Sequence, residues 1–323
     1  MTVEAPAKIN LNLRVRGRRA DGYHELESLF LPLDLRDEVC VAVRRAGAVS
    51  VALSISEEGA GRPGDVPADA SNLAHAAAAA FLAAAGVTAR LSIDLRKRIP
   101  AAAGLGGGSS DAGAVLRALD TLYPGALPTP ELSRVALELG ADVPFFLDPR
   151  PAFVSGIGER IEASHGVPAL SLLLCHPGEP LSTREVFGAW DALHPDRAAP
   201  DALTPSSGPS TMRAPETGDG GAIRLSDLLS GLVGELANDL EPAAVRLCPG
   251  IARLRARIEA AGALLVGMSG SGPTMFGVFS GPQEARKALA AVRESGNPGG
   301  GTSARHNSES RLWARVATTI QSP

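Results

Sequence analysis

The sequence predicts two domains, each built from a mixture of α-helices and β-strands. With 323 residues, the chain is long enough for two domains of ordinary size that each bury their own core. Segments in which apolar residues alternate with polar ones, as in strands, interchange along the chain with segments at helical spacing. Two glycine-rich loops, at residues 100–111 and 269–273, each follow a predicted strand. We therefore expect an α+β protein with domains at residues 1–153 and 154–323 and an active site in the cleft between them.

Apolar periodicity predicts the individual elements. In the first domain, strands are expected at residues 49–55 and 91–95, and helices at residues 74–85, 112–122 and 129–139. In the second domain, strands are expected at residues 264–268, 274–279 and 312–320, and helices at residues 251–261 and from Pro282 onward. Ser71 or Asn72 is expected to cap the first helix, because their side chains accept hydrogen bonds from free N–H groups.

Two segments show little apolar periodicity. Residues 195–221 and 296–310 are rich in Pro, Ser and Gly, and we expect the first to be a flexible surface insertion. Both segments fall in the second predicted domain, and the strands and helices predicted for that domain lie between them and after the second one.

Composition excludes several classes of protein. A hydrophobic content of 45% and a charged content of 20% are typical of a globular chain, and no apolar run approaches about 18 residues. We therefore expect a cytoplasmic protein without a membrane partner. The net charge of -4 argues against a nucleic-acid surface. The three cysteines, Cys40, Cys175 and Cys248, are too few and too widely spaced to predict disulfides or a CxxC metal site.

The loop from Pro100 to Asp111 predicts a phosphate-binding site. It passes from a strand through four glycines into a helix, and a helix N-terminus directs backbone N–H groups and a partial positive charge at one point. Ser109 or Ser110 is expected as the N-cap. The loop contains no lysine and fits neither the Walker A nor the GxGxxG pattern. A tight turn without a ligand remains the alternative for the loop taken alone.

One lysine and one aspartate are candidates for chemistry. Of the 31 basic residues, only Lys8, Lys97 and Lys287 are lysine, so a lysine here suggests a need for a compact ammonium group. Asp142 precedes an apolar run, Val143–Phe146, which is an unusual setting for a carboxylate. Taken alone, a solvated N-terminal lysine and a turn aspartate are the alternatives.

Four segments together resemble the GHMP kinases, the family named for galactokinase, homoserine kinase, mevalonate kinase and phosphomevalonate kinase. They are Pro6–Leu11, the loop Pro100–Asp111, Asp142 with its neighbours, and the loop Ser269–Pro273. The resemblance implies a two-domain fold, with a ribosomal-protein type of N-terminal domain and a ferredoxin-like C-terminal domain. One departure is Gly113, where the family prefers alanine, at a cost of up to about 1 kcal/mol in a helix.

Further segments resemble the branch of this family that phosphorylates a cytidine diphosphate derivative of methylerythritol. They are Pro6–Leu13, Arg19–Phe30, Gly140–Phe145, His176–Gly178 and Asn238–Glu241. The resemblance implies transfer of a phosphoryl group from ATP, with Mg²⁺, to the 2-hydroxyl of that small-molecule substrate. The pathway would be non-mevalonate isoprenoid precursor synthesis. A monomer or a homodimer is expected.

The resemblance also implies roles for individual residues. Asp142 would accept the proton of the substrate hydroxyl, and Lys8 would hold the aspartate ionised and stabilise the attacking oxygen. Residues implied to bind ATP are Asn72, Pro100, Ala103, Gly104, Leu105, Gly106, Gly107, Gly108, Ser109 and Ser110. Residues implied to bind the substrate or close the site are Asn10, Tyr23, His24, Thr183, Phe187, Gly270, Ser271 and Gly272. Ser110 matches a serine that ligates Mg²⁺ in some relatives, no glutamate can be matched, and the metal ligands stay unassigned.

For the base, the resemblance pairs Tyr23 with Phe187 as a stacking clamp on cytosine, and His24 would read the edge of the ring. Four alternatives remain at this point. Asn72 also suits a helix cap, and Ser269–Pro273 also suits a hairpin turn. The chain as a whole could be another small-molecule GHMP kinase, such as a homoserine or mevalonate kinase, or a non-catalytic binding protein on the same scaffold.

Overall fold

The computed structural model describes residues 1–58, 66–197, 237–294 and 312–321. It has mixed α and β content in two compact units, which confirms the predicted fold class. One unit comprises residues 1–8, 34–101 and 106–150, and the other comprises residues 9–33, 102–105 and the described residues from 151 onward. This division cuts the chain several times, whereas the predicted bounds of 1–153 and 154–323 cut it once; these bounds, and a cleft between the domains, stay a prediction.

The described residues form eleven strands and seven α-helices. The strands are β1 Thr2–Asn10, β2 Arg14–Arg18, β3 His24–Arg45, β4 Ser50–Glu57, β5 Ala89–Lys97, β6 Ala152–Gly156, β7 Arg160–Ala163, β8 Ser171–His176, β9 Leu265–Met268, β10 Met275–Phe279 and β11 Trp313–Thr318. The helices are α1 Leu73–Ala84, α2 Gly107–Leu122, α3 Thr129–Leu139, α4 Thr183–Leu193, α5 Glu241–Leu247, α6 Gly250–Ala260 and α7 Pro282–Glu294. Short 3-10 helices occur at Pro144–Leu147 and Pro195–Arg197. Every strand and helix predicted from periodicity is present.

In the first unit, three helices cover a small sheet. Strand β4 runs parallel to β5, and β5 is antiparallel to the second half of β3. Strand β5 alternates strictly between buried and exposed residues, so one face packs and the other faces solvent. Buried alanines dominate the packed face of α1, and small side chains of this kind let helices approach closely. The core of this unit thus positions α2, which begins in the glycine loop.

In the second unit, the first half of β3 pairs with β2 and with β6, and β6 pairs with β7. A separate antiparallel sheet has the order β11-β8-β10-β9. Numbered along the chain, that order is 4-1-3-2, with helices between β8 and β9 and between β10 and β11. This is the ferredoxin-like arrangement, as predicted.

The two predicted helix caps have different outcomes. Asn72 caps α1, because its side chain accepts a hydrogen bond from Ala74 N at 2.9 Å. The expectation of Ser109 or Ser110 as N-cap of α2 is wrong, because the helix begins at Gly107 and the cap is Gly106. Gly106 has a φ of 71°, a conformation that glycine adopts without strain, so the helix starts before the serines. Both serines therefore lie inside the first turn.

The two segments predicted to lack regular periodicity fall almost entirely outside the described residues. Of the predicted insertion at 195–221, only residues 195–197 are described, and the segment 296–310 lies outside the described residues. Within the described ranges, no helix combines the length and apolar character that crossing a bilayer requires.

Candidate active site

The first unit brings the two predicted catalytic residues together. Lys8 lies near the end of β1, and Asp142 follows α3 and precedes the 3-10 helix Pro144–Leu147. The Lys8 Nζ atom is 3.4 Å from Asp142 Oδ2, and the side chains are 4% and 33% exposed respectively. Burial of Lys8 excludes the solvated-lysine alternative. The partial exposure of Asp142 leaves one side of the carboxylate open to a ligand.

The first glycine loop passes directly against this pair. A Cβ atom on Gly106 would lie 3.1 Å from Lys8 Cγ and 2.9 Å from Phe146 Cζ, closer than side chains normally approach. A Cβ atom on Gly107 would lie 3.0 Å from Ile99 Cγ2. Glycine is therefore required here for the backbone of the loop to approach the lysine.

Gly113 also has a structural reason. A Cβ atom at this position would lie 2.5 Å from Phe146 Cβ and 2.9 Å from the Phe146 carbonyl oxygen. The missing methyl group lets α2 pack against the 3-10 helix that follows Asp142. The departure from the alanine preferred in the family is thus compensated by close packing beside the candidate base.

The N-terminus of α2 fits a polyphosphate. Its first N–H groups have no partner within the helix, because a helix leaves its first turn of donors unpaired. The Ser110 Oγ atom is buried and has no hydrogen-bond partner among the residues that the structure describes. A ligand with oxygen atoms or a bound metal ion would satisfy it. Of the other implied nucleotide residues, Ala103 and Leu105 are buried.

A second charged cluster lies beneath the same helix, and sequence reasoning missed it. Lys97 Nζ donates hydrogen bonds to Asp37 Oδ2 and, at 2.6 Å, to Asp111 Oδ2. All three side chains are at most 3% exposed. Asp37 Oδ1 also accepts a hydrogen bond from Ile99 N at 2.9 Å, which fixes the entry to the loop. The scarcity of lysine was the one signal that could have found this cluster.

The charges of this cluster do not balance without a proton. Burial raises the pKa of Asp111 to about 8, although Lys97 acts against this shift. Burial lowers the pKa of Lys97, but Asp111 and Asp37 together outweigh it and the pKa is raised. The raised pKa favours a proton on the Asp111 carboxyl near neutral pH, beside the ammonium group of Lys97.

In the second unit, Ser269 links the second glycine loop to two other segments. Its hydroxyl donates to the Gly104 carbonyl oxygen at 2.9 Å and accepts from Asn10 N at 3.3 Å. Asn10 Nδ2 donates to Ser28 Oγ at 2.8 Å. A Cβ atom on Gly104 would lie 2.3 Å from the Ser269 carbonyl oxygen, so only glycine fits there.

The tip of the second loop is also held by side chains. Asn238 Nδ2 donates to the Gly270 carbonyl oxygen at 2.7 Å, and Ser271 Oγ is hydrogen-bonded to Thr183 Oγ1 at 2.9 Å. A Cβ atom on Gly272 would lie 2.7 Å from Met268 Sδ. These contacts bring together Thr183, Ser271 and their neighbours, but they also suit a hairpin turn, so a ligand role for this loop stays a prediction.

The predicted base-binding residues form a cluster that includes an unexpected aspartate. His24 stacks on Phe187, with ring centroids 4.6 Å apart, and its Nε2 atom is 2.7 Å from Asp191 Oδ1. Tyr23, the preceding residue, is 59% exposed. Sequence reasoning paired Tyr23 with Phe187 and assigned no role to Asp191. The structure brings His24 and Phe187 into contact and leaves Tyr23 available to a ligand.

The side chains of Asn72 and His176 are hydrogen-bonded to backbone groups close to them in the chain. Asn72 Nδ2 donates to the Pro67 carbonyl oxygen at 2.8 Å while its oxygen caps α1, so its amide is already used on both sides. Contact with adenine stays a prediction. His176 Nδ1 accepts from Gly178 N at 2.9 Å, and burial lowers the pKa of His176 to about 4, so this histidine is neutral and structural.

No metal site is preformed in the described ranges, which contain no group of three or more His, Cys, Asp or Glu side chains arranged to hold an ion. Asp37 and Asp111 do not fit this role, because the Lys97 ammonium lies between them. Ser110 Oγ has the chemistry of a Mg²⁺ ligand, and it has no hydrogen-bond partner in those ranges.

Comparison with known families finds two matches, one in each half of the chain. Residues 72–148 match the GHMP kinases N terminal domain, and residues 223–298 match GHMP kinases C terminal. The first match contains the first glycine loop and Asp142. The second contains the loop Ser269–Pro273.

Individual proteins are similar over nearly the whole chain. The 4-diphosphocytidyl-2-C-methyl-D-erythritol kinase of Granulibacter bethesdensis is 41% identical over 298 residues, which are 92% of this chain and 91% of that one. A crystal structure of a 4-(cytidine 5'-diphospho)-2C-methyl-D-erythritol kinase matches with a TM-score of 0.71 and 35% identity, covering 99% of each chain. A homoserine kinase from Cytophaga hutchinsonii shares the fold, with a TM-score of 0.63, 21% identity, and 99% of this chain and 95% of that one covered.

Proposed function

Since this chain belongs to the GHMP kinases, in the branch of the 4-diphosphocytidyl-2-C-methyl-D-erythritol kinases, we propose that it phosphorylates the 2-hydroxyl of that substrate with ATP. The products are the 2-phosphate and ADP. The reaction serves the synthesis of isoprenoid precursors.

The observation that carries this proposal is the Lys8–Asp142 pair beside the glycine loop. Its Nζ to Oδ2 distance of 3.4 Å and the partial exposure of Asp142 suit a base that must accept a proton from a bound alcohol. As the substrate oxygen attacks the γ-phosphorus, its proton passes to Asp142. The bond from phosphorus to the bridging oxygen of ADP breaks, and ADP leaves with the electron pair.

Lys8 acts on the attacking oxygen. Its ammonium group stabilises the negative charge that develops there, and its burial strengthens that interaction. The glycine loop and the first turn of α2 bind the phosphates of ATP, because phosphoryl transfer depends mainly on positioning and on neutralisation of charge. Mg²⁺ bound to ATP supplies further neutralisation, and Ser110 Oγ is the atom that supports binding of that ion or of a phosphate oxygen.

Recognition of the cytidine group is assigned to the segment around His24. The exposed ring of Tyr23 supplies a stacking surface for cytosine, while Phe187 forms the opposite wall and His24, which stacks on Phe187, supplies a hydrogen-bonding group. We assign Asn10, Thr183 and Ser271 to the substrate as well; the hydrogen bond between Thr183 and Ser271 supports a shared role for these two residues.

A coupled assay of ADP release tests the proposal. The purified protein is incubated with ATP and Mg²⁺, with and without the cytidine diphosphate substrate, and in parallel with homoserine, mevalonate and free methylerythritol. We expect release that depends on the cytidine substrate alone. Full activity on free methylerythritol would reject the substrate, and activity only on homoserine or mevalonate would assign the chain to another GHMP kinase reaction.

A further inference from the structure

We infer that Asp191 is a positioning residue for nucleotide recognition: its carboxylate ties helix α4 to the turn at residues 18–24 through His24 and Arg18. This inference rests on the proposed function, because it assumes that this turn and Phe187 bind the cytidine group. None of the segments that resemble the family includes Asp191.

The carboxylate contacts both ends of the turn. Asp191 Oδ1 is 2.7 Å from His24 Nε2, and Asp191 Oδ2 is 3.6 Å from an Arg18 guanidinium nitrogen. Arg18 is the last residue of β2 and is directly opposite His24, the first residue of β3. The Asp191 side chain on α4 therefore bridges the two strand ends that flank this turn.

The turn is closed on itself as well. Arg18 Nε donates to the Gly22 carbonyl oxygen at 3.3 Å, and Asp21 Oδ1 accepts from Tyr23 N at 3.1 Å. These bonds fix the shape of the turn but do not attach it to α4. Asp191 supplies the polar part of that attachment, in addition to the contacts of the His24 ring with Phe187 and Trp190, so it helps to set where the exposed ring of Tyr23 lies relative to Phe187.

Helix geometry places the two partners of His24 on one face of α4. Phe187 and Asp191 are four residues apart, and residues at that spacing lie one above the other. Phe187 stacks on the imidazole ring and Asp191 holds its Nε2 atom, while Trp190 approaches the ring edge-on at a centroid distance of 5.7 Å. The His24 side chain is only 8% exposed. A carboxylate acceptor at Nε2 requires that this nitrogen carry the proton.

The inference is tested on the full chain by kinetics with the cytidine substrate and with ATP varied separately. Asp191→Ala removes both contacts, and we expect KM for the cytidine substrate to rise about 10-fold, with kcat within about threefold and KM for ATP within about twofold. Asp191→Asn keeps an acceptor for His24 but loses the charge facing Arg18, so a smaller rise of about threefold is expected. Glu185→Gln, which removes an exposed carboxylate from the same helix, is the matched control and should change nothing.

A double variant separates positioning from a general loss of structure. If Asp191 acts through His24, adding Asp191→Ala to His24→Ala should raise KM by no more than about twofold beyond His24→Ala alone. A long-range ¹H–¹⁵N spectrum of histidine-labelled protein, assigned with His24→Ala, should show the His24 proton on Nε2 in the wild type. If Asp191→Ala lowers the melting temperature sharply, the inference is judged on KM of Asp191→Asn for the cytidine substrate and on the position of the His24 proton in this spectrum.

The failures are distinguishable. An active wild type with an unchanged KM for the cytidine substrate in Asp191→Ala overturns the inference and leaves the proposed function standing. The inference is also overturned if KM for ATP rises as much as KM for the cytidine substrate, or if the effects of Asp191→Ala and His24→Ala on KM are fully additive. A His24 proton on Nδ1 in the wild type overturns it as well. A wild type that releases no ADP with the cytidine substrate rejects the proposed function and this inference together.

Discussion

Two lysine–carboxylate centres lie in the same unit and differ in what they leave open. At the first, Lys8 is buried, but Asp142 keeps a third of its side chain exposed, and the Nζ to Oδ2 distance is 3.4 Å. At the second, Lys97, Asp37 and Asp111 are all at most 3% exposed, and the lysine is hydrogen-bonded to both carboxylates. The difference teaches that residue type does not distinguish a reactive pair from a structural one.

The physical reason is that the two tasks have opposite requirements. A base must meet its substrate, so one side of its carboxylate has to be accessible. A buried ionic cluster must instead pair its charges internally, because water cannot solvate them. We therefore assign chemistry to the first centre and the anchoring of the loop entry to the second.

The largest expected effect is on the first centre. Asp142→Asn keeps the size of the side chain but cannot accept a proton, so kcat in the ADP-release assay should fall about 100-fold to 10,000-fold, or about 3–5 kcal/mol of activation free energy. Because the carboxylate is partly exposed, the melting temperature should change little. Asp148→Asn is a matched control, since Asp148 is 69% exposed and lies six residues further along. A variant that keeps more than about half of the activity would remove Asp142 from the mechanism.

Lys97→Met should affect folding instead. The substitution keeps the length of the side chain but leaves two buried carboxyl groups without a cation, which should lower the free energy of unfolding by about 3–5 kcal/mol. Urea denaturation followed by circular dichroism measures this loss. Lys287→Met, at a lysine that is 78% exposed, should change stability by no more than about 0.5 kcal/mol. Equal stability of the two variants would contradict the anchoring role of the cluster.

Lys8→Arg tests whether the first centre requires a compact cation. The positive charge is kept, but a planar guanidinium must fit beside the backbone of Gly106, so we expect kcat to fall at least about 100-fold. Steady-state kinetics are compared with those of Lys287→Arg, which should match the wild type. Near-normal turnover of Lys8→Arg would mean that Lys8 contributes charge without close contact to the reacting oxygen.

The last prediction concerns the proton at the second centre, whose effect is close to zero at low pH and grows with pH. The pKa of Asp111 is raised from 3.8 to about 8 in the folded protein, so the folded state keeps a proton that the unfolded chain loses. Its contribution to the free energy of unfolding is thus complete below the lower value, decreases as the pH rises between the two, and is lost above about 8. Asp111→Asn removes this titration and keeps a neutral group.

The measurement is the difference in unfolding free energy between wild type and Asp111→Asn at several pH values. Groups that do not interact with Asp111 titrate in both proteins and cancel in this difference. The wild type should lose stability relative to the variant between about pH 5 and pH 8, by at most about 1.4 kcal/mol per pH unit. A flat difference over this range would mean that Asp111 is ionised throughout and that the charge is balanced in another way.

Much of the candidate site could be predicted from the sequence. Lys8, Asp142 and the glycine loop carry local signals, namely the rarity of lysine, an apolar neighbourhood and a strand-to-helix pattern. The N-cap of α2 was predicted wrongly, because Gly106 accepts a left-handed conformation that starts the helix early. Lys97 and Asp191 were missed because their partners are far away in the chain: Asp37 is 60 residues from Lys97, and His24 is 167 residues from Asp191.

The sequence by itself determined five of the eleven described strands, five of the seven described α-helices, the place of the first glycine loop, the family and the choice of Asp142 as the candidate base. These properties depend on periodicity, on backbone conformation and on motifs, all of which are local. Only the tertiary structure decided that Lys8 pairs with a partly exposed carboxylate and that Lys97 is buried between two carboxylates. It also decided that the His24 ring, rather than the Tyr23 ring, stacks on Phe187. Burial and ion pairing arise where distant segments meet, and the energy of a charge is set by those neighbours rather than by its place in the chain.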